Sequence, residues 1–290
     1  MDIQTQLEAA LRDAQSGRFS AAETKLVALL EQSLSENDKA TIQGILGAVY
    51  ASMGNHVAAV RELSKAAATN PEDVSVLSNL CNCLTQTGDL DKAVEAGRRA
   101  TELNPGFAEA HNNLGNAYRT KGETAAAGQC YRRSLEINPG NAVAHNNLGL
   151  ALAAVGDLNG AVTSYLQALE RRPDYAAAHG NLADAWRGLG ELDRALACCT
   201  RAVEIDPSRP EPHRNLAVVY RDRGDTDAAL AAFRRALDLN PEYTDAAQGI
   251  GEVLLETGRH AEGLAVLSNA FGVIRFEAGS GVSVHSGGQA

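Results

Sequence analysis

The chain has 290 residues and a formal net charge of −10, enough length for one large packed domain or two smaller ones. An acidic protein of this kind repels phosphate backbones and anionic lipid headgroups, so nucleic acid and membrane surfaces are poor partner classes. Hydrophobic residues make up 44% but aromatic residues only 4%, and with abundant alanine this favours closely packed helices over bulky-faced sheets.

The first stretch, MDIQTQLEAALRDAQ, has no cationic start followed by an apolar segment, and no window of the chain approaches eighteen consecutive apolar residues. A cytoplasmic location is therefore expected. The five cysteines, Cys81, Cys83, Cys130, Cys198 and Cys199, suit a reducing compartment better than a disulfide framework. Residues 3–36 read as a helix pair, with Gly17 at the turn, Ala22 at a small helical position and Leu26 behind it. Residues 37–39 then break the register, so 1–39 is expected to be a degenerate N-terminal capping pair.

From residue 40 onward one ruler applies. Pro71, Pro105, Pro139, Pro173, Pro207 and Pro241 are each 34 residues apart, and Gly54, Gly88, Gly122, Gly156, Gly190, Gly224 and Gly258 keep the same period. With the proline at position 32, repeats start at Ala40, Val74, Ala108, Ala142, Ala176, Pro210 and Thr244. Positions 4, 7, 8 and 11 recur as one helical face, which predicts an amphipathic helix A in the first half of each repeat. Position 8 is small (Gly47, Cys81, Gly115, Gly149) and position 11 large (Tyr50, Leu84, Tyr118, Leu152), so two helices approach closely there. The mid-repeat glycine suits a left-handed helix end, and the acidic residue after it (Asp89, Glu123, Asp157, Glu191, Asp225) suits the start of helix B. The core line of helix B is positions 20, 24 and 27, for example Ala127, Tyr131, Ser134 and Ala229, Phe233, Ala236.

A 34-residue helix-turn-helix unit written NLGNAYRTKG…A…Y…L…NP resembles the tetratricopeptide repeat, and the resemblance covers residues 40–272. The HxNLG units are most similar to those of the O-linked N-acetylglucosamine transferase superhelix. The resemblance implies an all-α, right-handed superhelical α-solenoid that is an interaction scaffold and not an enzyme. The last repeat is atypical, with Gly263 where alanine is usual and no terminal proline. Residues 273–290 abandon the period and read as a Gly/Ser-rich tail, flexible or folded as a short hairpin.

The candidate site is the stripe of positions 2, 6, 9 and 13, separate from the face that meets helix B. In the family this stripe lines a concave groove. Asn79, Asn113, Asn147, Asn181 and Asn215 occupy position 6 in five consecutive repeats. They either bridge neighbouring repeats or hold the backbone of a bound peptide, since an amide offers both a donor and an acceptor. Helices pack ~8–10 Å apart, which matches about three residues of extended chain per repeat. The resemblance implies the second role, a ladder for substrate peptides. Asn82 and Asn116 add polar walls, Val143 and Leu150 an apolar step around Asn147, and Arg119, Arg187 and Arg221 a recurring charge at position 12, either for an acidic partner segment or paired with acidic neighbours. No repeat combines Lys at position 5 with Asn at position 9, so the clamp by which some family members seize a terminal carboxylate is not expected.

His111, His145, His179 and His213 recur at position 4, one per repeat. Zinc ligands must converge to ~2.0 Å from one ion, whereas successive repeats hold these rings about a helix-packing distance apart, so packing is the expected role. Cys81 at position 8 and Cys199 at position 24 read as buried small hydrophobes. The arginine pairs of helix B, Arg98-Arg99, Arg132-Arg133 and Arg234-Arg235, are followed by Glu102, Glu136 and Asp238 and read as a salt-bridged outer face. No catalytic residue, metal or cofactor is expected, and the partner is an extended segment of another protein. Two alternatives are a recruiting subunit for a separate glycosyltransferase-like enzyme and self-assembly through an end repeat or the C-terminal tail.

Overall fold

A computed structural model describes residues 3–271, 274–277 and 281–284. Among these, sixteen helices follow one another as pairs. The N-terminal pair is α1 (Ile3–Gln15) and α2 (Phe19–Leu30). The repeats follow as α3 (Glu36–Ser52) with α4 (His56–Thr69), α5 (Val74–Thr87) with α6 (Leu90–Leu103), and α7 (Ala108–Thr120) with α8 (Thr124–Ile137). Next come α9 (Ala142–Ala154), α10 (Leu158–Arg171), α11 (Ala176–Gly188) with α12 (Leu192–Ile205), α13 (Pro210–Asp222) with α14 (Thr226–Leu239), and α15 (Thr244–Glu256) with α16 (His260–Phe271). The odd-numbered helices from α3 are the A helices. The chain divides into two compact bodies, residues 1–155 and 156–290, each built on a stack in which every helix packs on the next. No described helix is long and apolar enough to cross a membrane.

The mid-repeat glycines carry the turns. Gly54, Gly88, Gly122, Gly156, Gly190, Gly224 and Gly258 all have φ between 76° and 86°, the left-handed region that other residues enter only with strain. The chain then closes back on helix A, as where the Asp89 N–H donates to the Leu84 carbonyl at 3.0 Å and the Glu123 N–H to that of Tyr118 at 2.8 Å. After Gly54 the N-cap of helix B is Asn55, accepting from the Ala58 N–H at 3.2 Å. In the five repeats from Gly88 to Gly224 an acidic residue follows the glycine as the N-cap, and of these only Asp157 uses its side chain, accepting from the Gly160 N–H at 2.9 Å. Asp89, Glu123, Glu191 and Asp225 make no such bond and contribute their charge to the helix terminus.

In the first three repeats and the last, position 8 of helix A meets position 24 of helix B, and one member of each pair is small. A Cβ on Gly115 would come within 2.6 Å of the Tyr131 ring, and one on Gly47 within 2.5 Å of Leu63. The second repeat reverses the arrangement, since Cys81 fills the helix A side and a Cβ on Gly97 would lie 2.8 Å from its Sγ. The expected core line of helix B is buried in the first six repeats, including Ala127, Tyr131, Ser134, Ala229, Phe233 and Ala236, whereas in the last repeat Gly263 is buried but Leu267 and Ala270 are half-buried.

The N-terminal pair has its own fastening. Asp13 on α1 is buried and accepts from Arg18 and from Lys25 of α2, each at 2.6 Å, and these bonds hold its carboxyl below the ordinary range. Residues 37–39, which interrupt the ruler, lie inside helix: α3 starts at Glu36, capped by Ser35 Oγ accepting the Asp38 N–H at 3.2 Å. The insertion adds a turn to an A helix. The reading of 273–290 as flexible tail or hairpin falls partly outside the described residues. Within them, β1 (Ile274–Glu277) and β2 (Gly281–Val284) pair antiparallel, with Ile274 opposite Val284.

Candidate functional site

The position-6 asparagines sit on α5, α7, α9, α11 and α13, and their surroundings depend on what the preceding A helix carries at position 5. In the first body, Asn113 Nδ2 donates to Ser78 Oγ at 3.0 Å and to the Ser78 carbonyl at 3.3 Å. Asn147 Nδ2 donates to Asn112 Oδ1 and Asn116 Oδ1, both at 3.1 Å, and Asn116 Oδ1 also accepts the Tyr131 hydroxyl at 2.8 Å. Asn113 and Asn147 are only 7% and 8% exposed, so these amide donors are spent on stitching one repeat to the one before. Asn79 is half-buried, follows Gly44 at position 5, and makes no side-chain hydrogen bond among the described residues.

In the second body Asn181 and Asn215 are both half-buried. Asn215 Oδ1 accepts from Arg214 Nη1 at 3.2 Å, and because a guanidinium only donates, this fixes the orientation of the amide. Its Nδ2 faces Gly180, where a Cβ would lie 3.1 Å away, and no hydrogen bond among the described residues uses it. Glycine at position 5 removes the acceptor that Ser78 and Asn112 supply in the first body.

The other candidates are spread more widely. Asn82 and Asn116 are half-buried, Val143 is 38% exposed, and Leu150 is half-buried two turns further along α9, with Asn147 between. Arg119 is exposed on α7. Arg187 and Arg221 are paired between repeats, Arg187 Nη1 with Asp222 Oδ2 at 3.1 Å and Arg221 Nη1 with Glu252 Oε2 at 2.6 Å. Periodicity within one repeat does not reveal these bonds, because each acid lies on the next A helix.

Each position-4 histidine is a strap between repeats. Nε2 of His111, His145, His179 and His213 lies 3.1, 2.9, 3.0 and 3.0 Å from the carbonyl oxygens of Pro105, Pro139, Pro173 and Pro207. A carbonyl only accepts, so the proton is on Nε2. Burial lowers the His111 imidazole below its ordinary range. Each ring engages a different turn, and no three His, Cys, Asp or Glu among the described residues converge as a metal site would require.

Cys81, Cys83 and Cys199 are fully buried, and burial pushes the thiols of Cys81 and Cys199 up to about 12 and those of Cys83 and Cys130 up to about 11. These are not nucleophiles at neutral pH. The salt-bridged outer face needs correction. Arg133 pairs with Glu136 at 2.8 Å, three residues on, whereas Arg98, Arg99, Arg132, Arg234 and Arg235 form no ion pair within 4 Å among the described residues. Flanking acids on the exposed side of a helix hold long arginine side chains too weakly to offset their lost freedom.

Two of the recesses among the described residues were not foreseen from the repeat pattern. One, about 850 Å³, has Val60, Leu77, Leu80 and Val94 along its floor and lies over α5 between α4 and α6, away from the asparagine stripe. The other, about 240 Å³, lies between α11 and α13 and is lined by both Asn181 and Asn215. The glycine at position 5 is the signal that points to the second.

Models of the tetratricopeptide repeat match residues 146–210, residues 82–122 and 115–156, and residues 220–271, more than half of the chain together. No curated protein matches the sequence significantly. Among solved structures, a chain of the APC/C hetero-tetramer Cut9–Hcn1 is similar with a TM-score of 0.73 at 19% identity, over 84% of this chain and 48% of that one. The present chain thus spans about half the length of that relative. A tetratricopeptide repeat protein of Parabacteroides merdae aligns with a TM-score of 0.68 at 16% identity, over 87% of this chain and 98% of its own. YrrB, described as a TPR protein with an unusual peptide-binding site, aligns with a TM-score of 0.51 at 24% identity, over 68% of this chain and 97% of its own. At these identities the likeness is one of fold.

Proposed function

The chain belongs to the tetratricopeptide repeat family, and from that premise we propose that it is a non-catalytic scaffold binding extended segments of partner proteins along the A-helix stripe of each body. The observation that carries this reading is the row of position-6 amides, one per repeat from Asn79 to Asn215, flanked by Val143 and Leu150 on α9. Bridging and gripping are compatible on one side chain. With Nδ2 of Asn113 or Asn147 tied to the preceding repeat, Oδ1 remains as an acceptor for a backbone N–H of a ligand. The peptide-binding description of YrrB and the resemblance of the HxNLG units to the O-linked N-acetylglucosamine transferase superhelix support the same ligand class. A partner segment seated this way reads the repeats through main-chain bonds and gains selectivity from the uneven side chains at positions 2 and 9.

The test is selection of short peptides on the full chain, followed by affinity measurements on Val143→Glu/Leu150→Glu and on Asn181→Ala/Asn215→Ala, with melting curves to check that both variants fold. Loss of about 10-fold or more in affinity for the selected peptides in at least one variant is expected. Failure to enrich any peptide, or unchanged affinity in both variants, would sink the proposal.

A further inference from the structure

The recess between α11 and α13 combines three features that the rest of the stripe does not. First, Asn215 presents an amide donor with no acceptor, because Gly180 stands where Ser78 and Asn112 stand in the first body. Second, Glu211, which also lines the recess, accepts from Arg209 through Oε1 at 3.1 Å while its Oε2, the inward oxygen of a side chain that is 47% exposed, has no hydrogen-bond partner. Third, the recess carries two carboxylates, Asp206, which accepts from Ser208 Oγ at 3.0 Å, and Glu211, against one guanidinium, Arg209, beside the small residues Ala176, Ala177 and Ala202. A buried carboxylate oxygen without a donor is a costly arrangement for the protein alone. Donor and acceptor vacancies in one recess call for a ligand that brings both an acceptor and a donor.

A matching recess supplies an internal comparison. Position 5 of the first repeat is also glycine, Gly44, and a recess of about 250 Å³ opens at the equivalent place, lined by Ala40, Thr41, Ala66 and Asn70. Its carboxylate, Asp73, is occupied, accepting the N–H groups of Ser75 and Val76 at 3.0 Å with Oδ1. Alanines at positions 1 and 27 line both recesses, but only the second has a buried carboxylate oxygen without a donor.

We propose that the recess beside Gly180 is a pocket for one lysine or arginine side chain of a bound extended segment, whose main-chain carbonyl accepts from Asn215 Nδ2 and whose cationic head is received by Glu211 and Asp206. The proposal rests on the scaffold reading above and names the side chain that this part of the stripe selects. A neutral or acidic side chain of similar length leaves Glu211 Oε2 unsatisfied, which is the source of the discrimination.

The experiment uses the full chain and blocked pentapeptides, acetyl-Ala-Ala-X-Ala-Ala-amide with X as Lys, Arg, Leu or Glu, so that no terminal amine is present. Binding is followed through the side-chain amide resonances of the asparagines. The Lys and Arg peptides should shift the Asn215 amide and bind at least about 10-fold more tightly than the Leu and Glu peptides. Glu211→Gln should abolish that preference, and Gly180→Ser, which offers Asn215 a hydroxyl as Ser78 does for Asn113, should weaken the Lys peptide without lowering the melting temperature. Should Gly180→Ser misfold, Glu211→Gln at a half-buried position still decides. Equal binding of Lys and Leu peptides, or an unchanged preference in Glu211→Gln, overturns the pocket. Peptides that shift Asn113 and Asn147 but leave Asn215 unmoved overturn it while the scaffold reading survives, and no shift at any asparagine overturns both.

Discussion

Gly115 lies so close to Tyr131 that a single added carbon would come within 2.6 Å of the ring. The Tyr131 hydroxyl reaches past it to Asn116 at 2.8 Å, so the close approach of α7 and α8 also sets one end of the polar cluster that receives Asn147. Gly115→Ala is expected to destabilise the chain by roughly 1–3 kcal/mol, the usual cost of overpacking a filled core. The reversed pair is the control: Gly97→Ala should be destabilising alone and rescued in part by Cys81→Gly, which removes the contact with Cys81 Sγ but leaves that with Leu114. Urea midpoints for the four variants check this, and an unshifted midpoint for Gly115→Ala contradicts it.

The asparagines should separate into two classes. Asn147→Ala removes two inter-repeat bonds from a buried site and should cost about 1–3 kcal/mol. Asn215→Ala removes no inter-repeat bond and should stay within about 0.5 kcal/mol of wild type. Equal losses of stability would mean that Asn215 is stitched into the stack in solution as Asn147 is.

That division explains how far the sequence could be read. Helix faces, turns and the small-against-large core follow from spacing within 34 residues, and the burial of Tyr131, Phe233, Cys81 and Cys199 agrees with it. The role of an asparagine at position 6 is settled by its partner in the previous repeat, 35 residues back for Ser78 and Asn113. A within-repeat ruler treats all five asparagines as equivalent. Arg187 and Arg221 were ambiguous for the same reason, and the extra residues 37–39 became a helical turn because Ser35 and Asp38 form a cap that periodicity does not register.

Histidine 111 provides a pH test. Its imidazole is held neutral by burial, so below the ordinary histidine pKa of about 6.5 the unfolded chain binds more protons than the folded one. The sign follows: its contribution to stability is fully present above that value and is lost as the pH falls from there through the lower folded-state pKa. Urea midpoints of wild type and His111→Gln should therefore differ most at neutral pH and draw together toward pH ~5. A difference that is constant with pH would contradict the assignment.

Thiol chemistry is the most direct check on packing. At pH ~8 the native chain should leave Cys81, Cys83 and Cys199 unmodified by iodoacetamide over times that alkylate a free cysteine, because burial keeps them protonated and out of reach. All five cysteines should react once the chain is unfolded in urea. Rapid modification of Cys199 in the folded protein would show that α11 and α12 do not close as described.

The histidine straps bear on how such a chain can be cut and rejoined. Because Nε2 of His145 holds the carbonyl of Pro139, which belongs to the preceding repeat, a boundary drawn between Pro139 and Ala142 severs a bond that both sides need. A segment running from one left-handed glycine to the next, such as Gly88 to Gly122, keeps its strap from His111 to Pro105 whole. The transplantable module is therefore half a repeat out of phase with the written one, and grafts made in the glycine frame should keep their joints where grafts made in the proline frame leave an orphaned ring.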